Sequence, residues 1–436
     1  MSVKPDIAPD TRTVAPGNSR RTPAEPYADA SDDEEFCEMV ALSPTGRCAT
    51  MCIFGCISIM GCRSSVVRRL SFYPPFPAGY SLQGDQLYIQ EVFNAATAGR
   101  GFRGTAPAEQ QQQRPPPREG QESIQQLLEH NRLPERVQVC HIRRGKKHQL
   151  AAVLLWSTAG VPPEYAQESK AKEYALTNRF LIVFSHGNST DIGHMFGLHY
   201  RMCFRCQVNV LAYDYSGYGW SDGKATEAAL YKDIKAVYSF AVKELNVPPK
   251  NIILYGHSVG SGPCCDFVAK RKQKGLGGVI LHSSIASGLR LFIHNIEKAP
   301  WFDAFQNAEK LKKVYDVPML LIHGRLDRQV PFSHSLKLEA ACREADARYA
   351  NLQESPPHRC LLRAPLLSSK ADGSPKGPPK RDKEMQKNRV QTWWIPNADH
   401  NDVEHRTGDE YYQRISAFLK FCSKWNEQEP ATPPNA

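Results

Sequence analysis

The segment that most constrains the fold of this chain is the pentapeptide Gly256-His257-Ser258-Val259-Gly260, which follows the apolar run 251–255. A serine nucleophile elbow needs this context, because the strand must end in a turn so sharp that the serine adopts strained backbone angles. Glycines two residues on either side remove the side chains that would collide there. Apolar side chains at helical spacing follow in 261–272. The sequence therefore predicts a strand, a turn and a helix around Ser258, as in a serine hydrolase.

Two later strand ends supply an acid and a base in the order that α/β-hydrolases use, which is serine, acid, histidine. Asp327 comes shortly after the apolar run 317–323, and His400 comes after the run 392–396. Open α/β sheets bind their ligands at such carboxyl ends of strands. We therefore predict that Ser258 is the nucleophile, that His400 is the general base, and that Asp327 orients the histidine.

Alternative assignments lie beside the predicted base, at Asp399, Asp402 and His405. A lone aspartate in a turn is usually a turn former, and a lone histidine is usually a surface residue or a satisfied core residue. We prefer Asp327 and His400 because the elements of the site occur in the expected chain order, each at the end of its own strand.

The backbone donors for an oxyanion are predicted in two places. The apolar run 180–184 leads into the loop 185–189, which is the position of the first donor in this kind of fold. The backbone N–H of Asn188 would pair with that of Val259, although the contact could move to Ser189.

Strand and helix patterns alternate through the rest of the chain. Residues 208–213 and 278–282 form strand-like runs, and 227–245 carries apolar residues at helical spacing. This alternation predicts an α/β-hydrolase fold with a mostly parallel, doubly wound sheet and helices on both faces. Gly217-Tyr218-Gly219 lacks the full dinucleotide spacing, and Cys203 with Cys206 is a single pair, so neither predicts a cofactor or metal site.

Several segments beyond the elbow carry a more specific pattern. They are Phe184-Ser185-His186-Gly187-Asn188, Tyr213-Asp214-Tyr215-Ser216-Gly217-Tyr218-Gly219, Leu281-His282-Ser283, Ser287-Gly288-Leu289-Arg290, Ile322-His323-Gly324 and Asp399-His400-Asn401-Asp402. With the elbow, these blocks resemble the α/β-hydrolase-domain-containing protein seventeen family, over roughly 48–422 and with two interruptions. His257 departs from the pattern, since glutamine is expected there.

The resemblance implies a function. Members of that family are membrane-bound depalmitoylases, so the expected substrates are S-acylated membrane proteins. The expected location is the cytoplasmic face of membranes, the plasma membrane and endosomes among them, with peripheral attachment through amino-terminal acylation.

The amino-terminal segment 48–62 is apolar and holds Cys48, Cys52, Cys56 and Cys62. It is too short to span a bilayer comfortably as a helix. Its cysteines lie beside Arg63, Arg68 and Arg69, a combination that indicates S-acylation supported by attraction to anionic lipid. The resemblance implies the same, because the family's cysteine-rich amino terminus is palmitoylated. A short buried helix or a re-entrant segment is the alternative, and the spacing does not favour zinc.

Composition limits the remaining classes of function. The 13 cysteines are odd in number and unevenly clustered, which favours reduced thiols and a cytosol-facing enzyme. The net charge of +10 is dispersed and has no interleaved aromatic platform. We therefore expect an anionic membrane surface, and no nucleic acid, as the partner of that charge. We also expect a monomer without a cofactor or metal.

The predicted organisation places a single catalytic domain between tails. The segments are a disordered tail at 1–36, a cysteine-rich membrane-anchoring segment at 37–75, the hydrolase domain at 76–425, and a disordered tail at 426–436. Low-complexity composition predicts insertions in the domain at about 99–118 and 349–389.

The sequence thus favours hydrolysis of long-chain acyl thioesters on protein cysteines by a Ser-Asp-His triad and an acyl-enzyme. A serine peptidase or a lipid esterase of the same fold is the first alternative, because fold and triad do not determine the substrate. A membrane-tethered, non-catalytic scaffold is the second, and the complete set of triad residues argues against it.

Overall fold

The computed structural model describes residues 55, 63–90, 121–270, 275–293, 296, 298–354 and 382–428. Ten strands occur within these ranges, and eight of them form one sheet in the order β10-β9-β8-β7-β5-β6-β4-β3. The strands are β1 Tyr80–Gln83, β2 Gln86–Ile89, β3 Glu135–Arg144, β4 His148–Ser157, β5 Leu181–Ser185, β6 Asn209–Tyr213, β7 Ile252–His257, β8 Gly278–His282, β9 Met319–Gly324 and β10 Val390–Ile395.

Helices alternate with the strands over the described part of the chain. They are α1 Arg63–Ser71, α2 Ile124–His130, α3 Glu168–Asn178, α4 Ile192–Cys206, α5 Glu227–Lys243, α6 Ser261–Lys270, α7 Asn307–Leu311, α8 Ser333–Glu354, α9 Lys383–Lys387, α10 Val403–Thr407 and α11 Asp409–Glu427. No helix within the described ranges is both long and apolar enough to cross a bilayer.

The sheet is mostly parallel, as predicted. Neighbouring strands from β10 to β6 in the sheet order pair in parallel, while β4 pairs antiparallel with β6, and β3 with β4. The chain runs from β5 to β6 on one side and then returns to place β7 on the other side of β5. The carboxyl ends of β5 and β7 therefore form the topological switch point, where open α/β sheets bind ligands.

Both faces of the sheet are covered. Along β5, Leu181 and Val183 belong to one buried apolar cluster, and Ile182 and Phe184 belong to the other. Residues of α5, α6 and α8 complete the first cluster, and residues of α4 and α11 complete the second. Alternation along a buried strand sends successive side chains to opposite faces, so this arrangement confirms the doubly wound α/β fold.

The described ends of the predicted second insertion pack within the domain. Helix α8 continues through 349 to Glu354, and Tyr349 is buried with its ring stacked on Tyr315. Arg389 is fully buried, and its Nε donates to Asp346 at 2.7 Å. The predicted bounds of 349–389 thus include core residues at both ends. Low-complexity composition does not show where a helix ends or which residue forms a buried ion pair. Residues 99–118 lie outside the described ranges.

Helix α1 attaches the predicted anchoring segment to the domain. Arg63 forms an ion pair with Glu227 at 2.8 Å and donates to the backbone oxygens of Phe302 and Asp303 at 2.8 and 2.7 Å. Phe72 then packs edge-on against Phe305. Arg63, one of the basic residues predicted to attract lipid, is partly buried and paired with Glu227. Cys48, Cys52, Cys56 and Cys62 lie outside the described residues.

Candidate active site

The turn after β7 has the strained geometry that the pentapeptide predicts. Ser258 has a φ of 53°, in the left-handed region, and opens a 3₁₀ turn that leads directly into α6. A side chain on Gly256 would lie 2.6 Å from the Gly260 oxygen, and one on Gly260 would collide with the Ser185 carbonyl. Two close backbone approaches therefore require the two glycines, and the sharp turn presents the Ser258 hydroxyl at the start of a helix.

Ser258, His400 and Asp327 form one hydrogen-bonded chain. The Ser258 Oγ lies 2.9 Å from His400 Nε2, and His400 Nδ1 lies 2.7 Å from Asp327 Oδ2. All three residues are buried. A carboxylate only accepts hydrogen bonds, so Nδ1 carries the proton and Nε2 is free to accept the Ser258 proton. This is the arrangement in which a serine hydroxyl becomes a nucleophile.

The environment of Asp327 holds its carboxylate ionised. The Oδ1 atom accepts the backbone N–H groups of Gln329 and Val330 at 2.9 and 2.8 Å. The Oδ2 atom faces both His323 and His400. Burial alone would raise the pKa of Asp327, but the hydrogen bonds from the two histidines outweigh it and hold the pKa well below the ordinary range of a carboxyl.

The rival acids near His400 shape the turn and do not bond to its ring. Asp399 accepts the backbone N–H of His400 at 2.8 Å and the Arg328 guanidinium at 2.7 Å. Asp402 accepts the N–H of Asp399 at 2.6 Å and Arg406 Nε at 2.8 Å. His405 is exposed on α10. The geometry therefore supports Asp327 as the partner of His400.

The loop after β5 lies beside Ser258, the predicted nucleophile. A side chain on Gly187 would lie 3.7 Å from Ser258 Cβ, so the loop 185–189 runs beside the elbow. The next residue, Asn188, is held by its side chain: Oδ1 accepts the Tyr73 N–H at 2.9 Å and the Tyr218 hydroxyl at 2.7 Å. Sequence reasoning assigned a role only to the Asn188 backbone and missed this clamp, which depends on contacts with residues far along the chain.

Neutral histidines line the back of the site. Burial, with a contribution from the nearby His400, lowers the pKa of His257 to about 3. Its ring lies 5.3 Å from that of His400, so the residue that departs from the family pattern packs beside the predicted base. His282 Nδ1 lies 2.7 Å from the Tyr255 hydroxyl, and burial lowers the pKa of His282 as well.

His323 is the residue whose role sequence reasoning missed most clearly. Its Nε2 lies 2.9 Å from the Val330 carbonyl and 3.1 Å from Asp327 Oδ2, and its Nδ1 lies 2.7 Å from Ser335 Oγ. Two acceptors face Nε2, so this nitrogen carries the proton. The sequence contained a signal for this role. The block Ile322-His323-Gly324 ends β9, and His323 lies four residues before Asp327.

The described residues contain no cluster of histidine, cysteine and acidic side chains suited to a metal ion. Cys203 is buried in α4. Gly219 lies against the Asp214 carboxylate, which also accepts the Tyr80 hydroxyl at 2.5 Å. The cysteine pair at 203–206 and the glycine pair at 217–219 therefore have packing roles in the structure.

Comparison with known proteins agrees with this geometry. The family model described as serine aminopeptidase, S33 matches residues 177–300, which include β5, the elbow and α6. The human alpha/beta hydrolase domain-containing protein 17B is 40% identical over 164 residues, which are 38% of this chain and 56% of the relative. The 17C protein of Xenopus tropicalis is 40% identical over 242 residues, 56% of this chain and 62% of the relative.

The chain is an α/β-hydrolase by its fold, and it is similar to the alpha/beta hydrolase domain-containing protein 17 relatives. This finding confirms the resemblance inferred from the sequence motifs. The matches span about six tenths of the length of these relatives. Among solved structures, an esterase of Pyrococcus furiosus matches with a TM-score of 0.43 and 15% identity, over 68% of this chain and 93% of that chain.

Proposed function

We propose that this chain hydrolyses long-chain acyl thioesters on protein cysteines. The observation that carries the proposal is the hydrogen-bonded chain from Ser258 through His400 to Asp327, at 2.9 and 2.7 Å. The substrate class comes from the resemblance to the seventeen family, which the relatives' identity supports. The finer assignment is a proposal, because the same triad also serves esterases and peptidases.

The first half-reaction would transfer the acyl group to the enzyme. Ser258 Oγ attacks the thioester carbonyl while His400 Nε2 takes the hydroxyl proton. The backbone N–H groups of Asn188 and Val259 would hold the oxyanion of the tetrahedral intermediate. Collapse of the intermediate breaks the carbon–sulfur bond, and His400 returns the proton to the departing cysteine sulfur. The acyl chain is then esterified to Ser258.

The second half-reaction would release the fatty acid. His400 removes a proton from water, and the water oxygen attacks the acyl-enzyme carbonyl. The same two N–H groups hold the second oxyanion, and the proton returns from His400 to Ser258 Oγ. Asp327 remains ionised throughout and stabilises the imidazolium each time that it forms. No step requires a cofactor.

A serine peptidase is the second candidate, and one observation favours it: the matching family model is described as a serine aminopeptidase. The two candidates differ in the leaving group. A thiolate leaves readily, whereas an amine must be protonated as the carbon–nitrogen bond breaks.

A direct comparison of substrates tests the proposal. Purified full chain would be assayed in parallel on an S-palmitoyl peptide, its O-palmitoyl serine counterpart, a p-nitrophenyl ester and an aminoacyl-anilide. We expect the highest kcat/KM on the thioester, and we expect Ser258→Ala to lose both turnover and fluorophosphonate labelling. Preference for the anilide would establish the peptidase instead, and unchanged turnover by Ser258→Ala would exclude a Ser258 mechanism.

We also propose that acylation of Cys48, Cys52, Cys56 and Cys62 attaches the enzyme to the cytoplasmic face of membranes. The support is the apolar, cysteine-rich composition of 48–62 and the basic residues that follow it. One acyl chain holds a protein only marginally, whereas two chains, or one chain with a basic patch, give stable attachment.

A further inference from the structure

The hairpin of β3 and β4 ends in an exposed cluster of basic side chains. Its members are Arg143, Lys146 and Lys147, together with Lys224 in the loop after β6. We call these four residues the basic tip. All four are exposed, and among the residues that the structure describes no carboxylate lies within 4 Å of their charged groups. A cluster of like charges without counter-charges indicates an electrostatic interaction surface.

The basic tip stands on a fixed frame. Arg144, in the same hairpin, forms an ion pair with the buried Asp233 of α5 at 2.9 Å. A side chain on Gly223 would lie 3.3 Å from the Arg144 guanidinium. The Gln149 N–H donates to Asp222 Oδ2 at 3.0 Å, and the Gln149 carbonyl accepts the Asp222 N–H at 2.9 Å. These contacts hold the loop after β6 against the hairpin, so the charges of the tip are ordered before any partner binds.

The basic tip lies at the edge of the sheet that carries the triad. Strand β4 runs antiparallel to β6, and Ala152 pairs with Tyr213, the last residue of β6. The start of β4 therefore extends past the carboxyl end of β6. The sheet continues from β4 through β6 and β5 to β7, so three strand spacings, about 14 Å in all, separate the tip laterally from Ser258. With the height of the hairpin included, the separation is about 15 to 20 Å.

An acidic polypeptide segment is the partner that this surface fits. Residues 143–149 include no large apolar side chain, so the hairpin lacks the groups that would enter a lipid bilayer. Exposed lysine and arginine that face carboxylates contribute to encounter and to the choice of partner. An extended peptide covers 15 to 20 Å in about five or six residues. Acidic residues at that spacing from a cysteine held at Ser258 would therefore reach the tip.

We infer that the basic tip selects substrate proteins that carry acidic side chains about five or six residues from the acylated cysteine. The inference rests on the proposed function for the acyl cysteine and adds a class of substrate to it, because the triad does not distinguish one acylated protein from another. The tip is too far from Ser258 to contact the reacting atoms. Its role is therefore to capture the polypeptide, and the acyl transfer itself does not depend on it.

The test compares matched peptides in the absence of lipid. Each peptide carries an S-palmitoyl cysteine and either three glutamates or three glutamines, about five to seven residues from it. The cluster precedes the cysteine in one pair of peptides and follows it in another. The purified full chain should hydrolyse the glutamate peptide of at least one pair with about tenfold higher kcat/KM, because several exposed ion pairs act together. The preference should reside in KM and should shrink between about 0.05 M and about 0.5 M salt.

Neutralising the tip should remove this preference. Arg143→Gln, Lys146→Gln and Lys147→Gln together should lower kcat/KM on the glutamate peptide about tenfold, to the value for the glutamine peptide. Hydrolysis of the glutamine peptide and of a p-nitrophenyl ester should be unchanged. Arg144 is retained in this variant because its ion pair with Asp233 supports the hairpin.

A matched control removes the same charge from the opposite edge of the sheet. Lys243 ends α5, Lys250 lies just before β7, and Lys424 lies in α11, whose Asn426 donates to the Lys250 carbonyl at 2.8 Å. All three lysines are exposed, and their combined change to glutamine should keep the glutamate preference. An equal loss in this control, or a preference that survives in the tip variant, would overturn the inference.

Two other occupants of the tip would give different results, and each would also overturn the inference. If the unaltered chain hydrolysed both peptides equally and the tip variant bound phosphatidylserine vesicles more weakly than the control, the tip would be a lipid contact. If removal of residues 1–36 raised kcat/KM on both peptides and the tip variant did the same, the tip would hold the chain's own acidic run 32–35.

The outcomes separate this inference from the proposed function. Thioester hydrolysis without a glutamate preference would leave the function and overturn the basic tip as a selective surface. If the chain hydrolysed no thioester, fluorescence anisotropy of the unacylated glutamate peptide would still measure binding. A Kd about tenfold higher in the tip variant than in the control would then support the acidic-segment surface and overturn the function. Melting temperatures of the variants check that exposed substitutions have not altered folding.

Discussion

His323 and His400 contact the same oxygen of Asp327, Oδ2, at 3.1 and 2.7 Å. His400 is the predicted base, whereas His323 shares its Nε2 proton between Asp327 and the Val330 carbonyl. We therefore assign His323 as a positioning residue that keeps the Asp327 carboxylate ionised and aligned.

Replacing His323 should affect the acid and not substrate binding. His323→Phe removes one hydrogen bond to a charged group, so we expect kcat to fall about tenfold with little change in KM. The pKa of Asp327 should rise, and titration of its carboxyl carbon by NMR should give a profile displaced to higher pH. His323→Gln retains an N–H donor and should recover part of the rate. A profile and a kcat like those of the unaltered enzyme would contradict the assignment.

Asp327→Asn should leave the fold and substrate binding intact and lower kcat by about 10³ to 10⁴, because the amide favours the wrong imidazole tautomer. Asp399→Asn is the matched control, since Asp399 bonds to the His400 backbone and to Arg328 but not to the ring. Its effect on kcat should be much smaller. If the Asp399 variant were the more damaging one, the acid would have been assigned incorrectly.

Asn188→Ala tests the clamp on the proposed oxyanion loop. The backbone N–H remains, but the Tyr73 N–H and the Tyr218 hydroxyl lose their shared acceptor. We expect kcat to fall about tenfold through a less ordered loop. Tyr218→Phe removes only one of the two hydrogen bonds and should have a smaller effect in the same direction. Unchanged kcat in both variants would mean that the side chain does not position the loop.

Buried neutral histidines should make the protein sensitive to mild acid. Burial lowers the pKa of His186 to about 4 and that of His199 to about 3. Both folded values lie below the unfolded value near 6.5, so the stabilisation is complete above that pH and is lost as the pH falls through the folded pKa. We therefore expect the free energy of unfolding from urea denaturation to decrease between about pH 7.5 and pH 5.5.

His199→Leu measures the share of one histidine in this decrease. The decrease should be smaller by about 1.4 kcal/mol in the variant, because the unfolded chain then binds one proton fewer. Leucine has a similar volume and suits the apolar contact with Phe184. An equal decrease in both proteins would show that His199 is protonated in the folded state.

Membrane attachment should depend on several cysteines together. Single Cys→Ser changes at 48, 52, 56 or 62 should move little protein to the cytosolic fraction, and the fourfold change should move most of it. Hydroxylamine, which cleaves thioesters, should reproduce the fourfold result in the unaltered protein. If the fourfold variant stayed fully in the membrane pellet, acylation of these residues would not be what holds it there.

The core of the sheet was predictable from local sequence. The strand predicted at 278–282 is β8, and the helix predicted from 227 begins there and ends two residues earlier than expected, at Lys243. Parallel strands buried on both faces are nearly continuous apolar runs, so their positions are evident in a single sequence. The long antiparallel strands β3 and β4 were not predicted. The bounds predicted for the second insertion, 349–389, were too wide because they rested on low-complexity composition.

The sequence by itself determined the nucleophile elbow at Ser258, because the elbow is a local motif whose glycines, strand and helix are contiguous. Only the tertiary structure decided which groups converge on it. Tyr73 and Asn188 are 115 residues apart, and Arg63 and Phe302 are 239 apart. Such contacts depend on how the helices pack on the sheet, and no periodicity records that packing. The physical reason is that hydrogen-bond partners are selected by distance in space, whereas sequence patterns report only the chain's local preferences.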